Sequence, residues 1–345
     1  MSRIHFDVTH PAHVHLFRHA IRDLADAGHG VVVTSRRKEI TTDLLDAYGI
    51  PHTVLSTMGE RKTGLLSEWG LRGARMVRYD WRYKPDVIVS RVSPTAVAAA
   101  AATGAKSVVF HDHEGTTRMT KALLPFIDRL CTSTTFGTDY GTPHRRHDGV
   151  QELAYLHPNR FEADRDRLRE HGVDPDEPYA VLRFVSMGAH HDVGLEGLSS
   201  DAKRRLVDEL SAFGPVYVSA EDGIPTDLSA EPVPVPPAAI HDLLAEAGTV
   251  VTDSNTMATE AGLLGTPTVR SGSYTSTEFS NFEVLGEAGI VESYGDEGRA
   301  VDRAVELAGD PDAPDRWERK RDAYLEGADD VTEFMVDTIL EVASE

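Results

Sequence analysis

Short apolar runs alternate with segments of helical periodicity along most of the chain. In the first half, apolar runs predict strands at 3–8, 30–35, 86–90 and 106–110. Between them, helices are predicted at 13–27, at 38–48 and from Pro94 onwards. The same alternation returns in the second half, with strands predicted at 179–184, 214–219, 248–253 and 266–269. This rhythm predicts an α/β protein whose parallel sheets are covered by helices on both faces.

The chain has 345 residues, which is more than one hydrophobic core usually organises. A boundary is predicted within 157–178, where a charged helical pattern is followed by a link rich in Pro and Asp. We therefore expect two Rossmann-like domains, at 1–165 and 172–314. A C-terminal helix within 315–345 is expected to pack back on the N-terminal domain. Ligands of such sheets bind at the carboxyl ends of the strands, so we expect a cleft between the domains.

The charge balance is strongly acidic. There are 56 Asp and Glu against 35 Lys and Arg, a formal net charge of -21, and only seven of the basic residues are lysine. Such a surface repels nucleic acid and anionic lipid, so no nucleic-acid partner is expected. We interpret it as an adaptation to high salt, as in extreme halophiles. The alternative is an acidic surface that binds a partner protein.

A cytoplasmic location is expected. The single cysteine, Cys131, excludes a disulfide framework. No apolar run reaches the length of a membrane span, and the first residues lead directly into a strand without a signal-peptide pattern. No hydrophobic or basic surface helix is evident from the sequence, which argues against a lipid-linked substrate.

The stretch "VVTDSNTMATEAGLLGTPTV", 250–269, predicts a strand, a polar turn and a helix. Asp253 or Ser254 is placed to cap the helix, and the free N–H groups of residues 255–257 would attract a phosphate. Glu260 follows about one turn later, where a carboxylate can accept two hydrogen bonds from the diol of a ribose. The alternative is a plain strand–helix–strand unit with a surface glutamate.

This stretch resembles the nucleotide-diphosphate site in the C-terminal domain of GT-B-fold proteins. It is most similar to that of the non-hydrolysing UDP-N-acetylglucosamine 2-epimerases, with their T-D-S-G-G-x-x-E-E-A-x-x-x-G-x-P run. Segments 93–118, 185–192, 236–248 and 270–279 resemble that family in the same order. The end of the first strand, "HPAHVH", resembles a largely archaeal GT-B-like family of the DUF354 type.

The resemblance implies roles for particular residues. Those expected to bind the nucleotide are Ser254, Asn255, Thr256, Glu260, His190 and His191. Glu114 would lie in the cleft. The chain departs from the epimerase pattern, because Asn-Thr replaces the glycine pair and Arg91 occupies the place of a catalytic acid. A second family acid has only "LPFIDR" as its counterpart. These departures weaken an epimerase assignment and leave nucleotide-sugar binding intact.

Histidines cluster after the first strand, in "DVTHPAHVHLFRH". In GT-B glycosyltransferases, which the chain resembles, this first loop faces the acceptor, and the resemblance implies that His13 or His10 acts as a general base toward an acceptor hydroxyl. Two alternatives stay open. His15 and His19 have the i, i+4 spacing of zinc ligands, and all these histidines could be hydrogen-bonding loop residues.

A second polar cluster, "FHDHEGTTR" at 110–118, follows another apolar strand. Asp112 and Glu114 are candidates for proton transfer or for binding sugar hydroxyls, with a metal site or a structural loop as alternatives. The basic stretch 142–149 is interpreted as a solvated loop that could touch an anionic acceptor.

Taken together, these patterns predict a metal-independent GT-B glycosyltransferase. It would take a nucleotide diphosphate sugar, with UDP the expected nucleotide, and an unknown acceptor, and it would need no cofactor. One alternative is a UDP-sugar 2-epimerase or hydrolase, and another is a non-catalytic sugar-nucleotide-binding protein. No Walker A loop, G-x-S-x-G elbow or G-x-G-x-x-G run is present.

Overall fold

The structure is a computed structural model that describes residues 1–58, 65–185, 198–220, 223–224, 228, 230–272 and 280–345. Two compact units are formed. The first consists of Met1–Arg160 and Ala328–Glu345, and the second of Phe161–Gly327.

A parallel sheet forms the centre of the first unit. Within the described residues it has seven strands: β1 (Arg3–Val8), β2 (Gly30–Arg37), β3 (Thr53–Thr57), β4 (Val87–Ser90), β5 (Lys106–Phe110), β6 (Arg129–Ser133) and β7 (His144–His147). Their order is β3-β2-β1-β4-β5-β6-β7, and every neighbouring pair is parallel. All four residues of β4 are buried, as expected for a strand covered on both faces.

The described residues of the first unit form six α-helices before the chain enters the second unit. They are α1 (Pro11–Asp26), α2 (Thr41–Ala47), α3 (Leu65–Tyr83), α4 (Pro94–Thr103), α5 (Thr117–Leu123) and α6 (Leu153–Leu156). Helix α1 begins two residues before the predicted start, because the His10 side chain caps it and Pro11 supplies a helical φ in the first turn.

The second unit is built on the same plan. Its described strands are β8 (Ala180–Phe184), β9 (Val216–Ala220), β10 (Glu231–Pro232), β11 (Thr249–Thr252), β12 (Thr268–Ser271) and β13 (Glu292–Tyr294), in the parallel order β10-β9-β8-β11-β12-β13. Its helices are α7 (Arg165–Glu170), α8 (Ser200–Leu210), α9 (Ile240–Ala245), α10 (Asn255–Leu263), α11 (Ser280–Glu287), α12 (Glu297–Ala308) and α13 (Ala313–Leu325).

Small residues allow α10 to pack closely in this unit. A Cβ added at Gly262 would lie 2.7 Å from a methyl carbon of Val291 and 2.9 Å from the carbonyl oxygen of Ile290. Gly265 ends the segment with a φ of +82°, a conformation that side-chain-bearing residues rarely adopt. The helix is thereby fixed in position against its neighbours.

The C-terminal helices belong to different units. Helix α13 buries Trp317 in the core of the second unit, where the indole N–H donates to the carbonyl of Ile290 at 2.9 Å. The last helix, α14 (Val331–Ser344), packs against α1 and α6 of the first unit. The segment that returns to the first unit is therefore 328–345, whereas the sequence assigned 315–345 to it.

Within the part of the chain that the structure describes, none of the helices has both the length and the apolar character needed to cross a membrane.

Candidate functional site

Both sheets contain a point where the strand order reverses. In the first unit it lies between β1 and β4, and in the second between β8 and β11. In open α/β sheets the carboxyl ends of the strands at such a point border a crevice in which ligands bind. The segments that follow these four strands are therefore the places to look for functional side chains.

In the first unit, His10 and His13 follow β1. The Nδ1 atom of His10 accepts from the backbone N–H of Ala12 at 3.2 Å, which is the cap of α1. The His13 Nδ1 lies 3.4 Å from both the backbone nitrogen and the hydroxyl oxygen of Thr9. The two imidazole rings lie 5.8 Å apart, centroid to centroid.

Both imidazoles are neutral near pH 7. Burial lowers the pKa of His10 to about 4, assisted by the neighbouring charge of Lys38. Burial likewise holds the pKa of His13 well below its usual range, and the guanidinium of Arg91 adds to the effect. A neutral imidazole can accept a proton, which is the property required of a general base.

Arg91 follows β4 and Asp112 follows β5. The guanidinium of Arg91 pairs with one oxygen of Asp112 and donates to the side-chain oxygen of Gln151. The amide nitrogen of Gln151 donates to the other oxygen of Asp112 and closes a ring of three side chains. Burial lowers the pKa of Arg91 to about 10. Both carboxylate oxygens of Asp112 thus have partners, one in Arg91 and the other in Gln151. Gln151 was not identified from the sequence as a member of this cluster.

Glu114 lies in a short 3-10 turn, 114–116, after β5. Its side chain accepts from the backbone N–H of Gly137 at 2.9 Å. The neighbouring His111 is buried against Phe136, with the ring centroids 5.0 Å apart. Burial lowers the pKa of His111 to about 3. The turn therefore holds a half-buried carboxylate at the same end of the sheet as His13.

In the second unit the strand ends are joined by a buried carboxylate. Asp253 follows β11 and accepts from the backbone N–H of Val185, which follows β8, at 2.7 Å. Burial raises the pKa of Asp253. The hydroxyl of Thr252 donates to the carbonyl of Arg183 at 3.1 Å and accepts from the N–H of Ser254 at 2.8 Å. These bonds fix the turn from which α10 starts.

The first turn of α10 carries three of the predicted nucleotide-binding residues. Ser254 is the cap, because its hydroxyl accepts from the N–H of Met257 at 3.4 Å. Asn255 is the first helical residue and Thr256 is exposed. The first N–H groups of a helix have no acceptor inside it and carry the positive end of its dipole.

Arg270, at the end of the neighbouring strand β12, was not assigned a role from the sequence. It is buried, and its Nε–H donates to the side-chain oxygen of Asn255 at 2.8 Å. The guanidinium carbon lies 4.7 Å from the ring centroid of Phe282. A cation is thus held at the positive end of α10. The sequence signal was its position directly after the predicted strand 266–269; in the structure it lies within β12 and is in register with Thr252 of β11.

Glu260 is buried in α10, whereas the alternative of a plain strand–helix–strand unit placed this glutamate on the surface. Its carboxylate lies 3.1 Å from the Nε2 atom of His241, which is itself buried in α9. The side chain of Glu260 is 8 % exposed. This pairing holds α9 against α10, and the ribose contact predicted for Glu260 remains a prediction.

The remaining candidates have the following places. His190 and His191 lie outside the described residues. His15 contacts the hydroxyl of Tyr48 at 3.2 Å, and His19 accepts from the Nε of Arg18 at 3.1 Å. In the described part of the chain no three His, Cys, Asp or Glu side chains are grouped as metal ligands would be.

Comparisons with known proteins identify the family and the fold. The family model described as "Protein of unknown function (DUF354)" matches residues 2–344. A search among curated proteins by sequence finds no match.

Solved structures are similar over the whole chain. The spinosyn forosaminyltransferase SpnP has a TM-score of 0.66 at 13 % identity, with 100 % of both chains covered. UDP-GlcNAc 2-epimerase from Neisseria meningitidis, bound to UDP-GlcNAc, has a TM-score of 0.66 at 12 % identity, covering 98 % of this chain and 100 % of that one. The calicheamicin glycosyltransferase CalG4 has a TM-score of 0.59 at 16 % identity, covering 100 % and 99 %. The predicted fold class, two Rossmann-like parallel-sheet domains of the GT-B type, is confirmed.

Proposed function

Since the chain belongs to the DUF354 family and has the GT-B fold, we propose that it is a glycosyltransferase whose donor is a nucleotide diphosphate sugar. The second unit would bind the donor and the first unit the acceptor. The donor is the substrate, and no further cofactor is required by the proposal.

The observation that carries the proposal is the cation at the start of α10. Arg270 is buried, bonded to Asn255, and adjacent to the first-turn N–H groups. Two sources of positive charge therefore converge on one place, and a diphosphate is the ligand that matches them. During transfer the sugar–phosphate bond breaks and negative charge develops on the leaving diphosphate. Fixed positive charge at this place would stabilise that developing charge.

Solved relatives support a nucleoside diphosphate as the ligand. The epimerase structure from Neisseria meningitidis contains UDP-GlcNAc, another relative is a co-structure with UDP, and the glycosyltransferase VinC is in complex with DTDP. For this chain we propose that Ser254, Asn255 and Thr256 contact the diphosphate. Glu260 would hold the ribose, and His190 or His191 would approach the nucleotide.

In the first unit, His13 is the proposed general base. Its ring is neutral, and the backbone N–H of Thr9 donates to its Nδ1 atom at 3.4 Å. A neutral imidazole has one ring nitrogen without a proton, and the lone pair of that nitrogen can take the proton of an acceptor hydroxyl as its oxygen attacks the anomeric carbon. Asp112 and Glu114 are proposed to bind the acceptor or the sugar hydroxyls.

The transferase is preferred over a 2-epimerase because of Arg91. An epimerase needs acid and base groups around C2 of the sugar, and the pattern of the 2-epimerases has an acidic residue at the position that Arg91 occupies here. Here that position carries a guanidinium, which is paired with Asp112. A group that is always protonated cannot abstract a proton.

Incubation with UDP-N-acetylglucosamine alone, followed by proton NMR, tests this choice. A transferase releases UDP slowly by hydrolysis or not at all, and forms no C2 epimer. Formation of the C2 epimer at a rate that falls in Asp112→Asn would show that the chain is an epimerase. Binding without turnover, even with acceptor sugars added, and no effect of His13→Gln on that binding, would favour a non-catalytic binding protein.

A further inference from the structure

Helix α3 presents a stripe of cations on a protein whose net charge is -21. Arg75, Arg78 and Arg82 are exposed and follow one another at spacings of three and four residues, which places them along one side of the helix. Within the described residues none of the three forms an ion pair. Arg75 donates to the backbone carbonyl of Leu55 at 2.7 Å.

Other arginine-rich helices of the chain behave differently. In α7, Arg165, Arg167 and Arg169 each pair with an aspartate. Within α3 itself, Arg72 is buried and pairs with Asp7. Unlike these four arginines, the three exposed arginines of α3 have no carboxylate partner among the described residues, and they mark a surface that is locally positive.

Apolar side chains lie on the same outward side of α3. Leu71 is 54 % exposed and precedes Arg75 by one turn. Trp81 is 63 % exposed, and its indole N–H reaches the carbonyl of Ala102 at 3.4 Å. Beside the arginines, a groove of about 570 Å³ separates α3 from the edge strand β3; it is lined by Leu55, Arg75, Arg78, Tyr79, Arg82 and Tyr83.

We propose that this face, defined by Leu71, Arg75, Arg78, Trp81 and Arg82 and called the α3 face, binds the surface of an anionic lipid membrane. Arginine, tryptophan and leucine on one side of a helix are the combination by which amphipathic helices lie in a membrane interface. The guanidinium groups match lipid phosphates, and the Trp ring matches the interface between headgroups and acyl chains. A soluble polyanion would match the arginines but would leave Leu71 without an apolar partner.

Screening weakens the repulsion that the acidic net charge exerts on an anionic membrane. Charges more than about 8–10 Å away are screened at moderate ionic strength, so a membrane would meet mainly the local charge of the α3 face. No basic surface helix was evident from the sequence, because the four arginines of α3 alternate with apolar residues and only the structure shows which of them point outward. The proposal is independent of the proposed activity.

Co-sedimentation with phospholipid vesicles tests it. The probes are vesicles of phosphatidylcholine alone and vesicles containing about one third phosphatidylglycerol, a composition that gives the negative surface potential on which basic segments act. The wild-type chain is expected to bind the anionic vesicles and not the neutral ones. Arg78→Glu/Arg82→Glu and Leu71→Ser/Trp81→Ser are each expected to weaken binding by about tenfold or more.

A matched control is Arg204→Glu/Arg319→Glu, which makes the same change in net charge on exposed helical positions of the second unit. It is expected to retain binding. Circular dichroism verifies that every variant is folded, which the exposure of the substituted residues favours. The proposal is overturned if the wild type binds no vesicles, if the control loses binding equally, or if only the arginine variant loses it while Leu71→Ser/Trp81→Ser binds normally.

Discussion

Arg270 donates its Nε–H to the side-chain oxygen of Asn255 at 2.8 Å, which joins the end of β12 to the first residue of α10. The arginine is buried, and Phe282 covers its guanidinium. This contact fixes a cation at the end of a helix whose dipole is also positive there. A binding place for an anion is therefore assembled in the second unit by the fold itself.

Replacing Arg270 tests its contact with the diphosphate. Arg270→Gln is expected to lower the affinity for a nucleoside diphosphate by about tenfold or more, because a hydrogen bond to a charged group contributes roughly 1.5–3 kcal/mol. Isothermal titration calorimetry measures the change. Arg299→Gln is the matched control, since that guanidinium lies 5.6 Å from the ring of Tyr294 in the same unit. Equal affinities of Arg270→Gln and the wild type would exclude the contact.

Substitution of Glu260 distinguishes a role in binding the ribose from a purely structural role in the pair with His241. Glu260→Ala is expected to lower the free energy of unfolding of the unliganded protein by about 1–3 kcal/mol, because it removes the buried carboxylate that lies 3.1 Å from the buried imidazole of His241. If Glu260 binds the ribose, Glu260→Ala also reduces the additional stability that a bound nucleotide confers. Denaturant unfolding with and without nucleotide measures both.

If that additional stability is the same in Glu260→Ala and the wild type, the ribose contact is wrong and Glu260 is structural. Glu260→Gln is the control, since it keeps the volume and a hydrogen-bonding group beside His241.

Thr9 is expected to position the ring of His13 for proton transfer. Its backbone N–H donates to Nδ1 of His13 at 3.4 Å, and its hydroxyl oxygen lies 3.4 Å from the same atom. Thr9→Val, of equal shape, is expected to lower kcat by about tenfold while KM for the donor stays unchanged. Thr9→Ser restores the hydroxyl and should restore kcat. A loss of the same size in both variants would show that the hydroxyl of Thr9 does not support the action of His13.

Buried histidines predict a loss of stability in mild acid. Burial lowers the pKa of His147, at the end of β7, to about 4. The unfolded chain takes up this proton near pH 6.5, and the folded chain only near pH 4, so stability falls as the pH decreases between these values. Linkage gives about 2 kcal/mol for this one group between pH 7 and pH 5.

Urea unfolding of wild type and His147→Gln at the two pH values measures the effect. The variant should lose about 2 kcal/mol less than the wild type on acidification. An identical loss in both proteins would contradict the assignment of His147 as a buried neutral group.

The fold could be predicted because it depends on local patterns. The apolar runs at 3–8, 86–90 and 248–253 correspond to β1, β4 and β11, and buried parallel strands leave this signature in any sequence. The sequence also predicted that Asp253 or Ser254 caps α10, and the structure shows that Ser254 is the cap. Both inferences need only residues that are close together along the chain.

The contacts that build the sites could not be predicted, because they join distant segments. Gln151 meets Asp112 across 39 positions, and the sequence around Gln151 has no feature that marks it. The burial of Glu260 depends on His241, which belongs to another helix. The outward side of α3 likewise depends on which of its sides covers the sheet. Each of these relations is set by packing in three dimensions.

The proposed function depends on the binding of a nucleoside diphosphate at the start of α10, and thermal unfolding of the wild-type chain with UDP measures that binding. A ligand at about 100 times its dissociation constant adds roughly 2.7 kcal/mol of stability. We expect UDP, or another nucleoside diphosphate in a panel, to stabilise the wild type, while the corresponding monophosphate has a smaller effect. If no nucleoside diphosphate or nucleotide sugar raises the unfolding temperature, the site does not bind them and the proposed function is wrong.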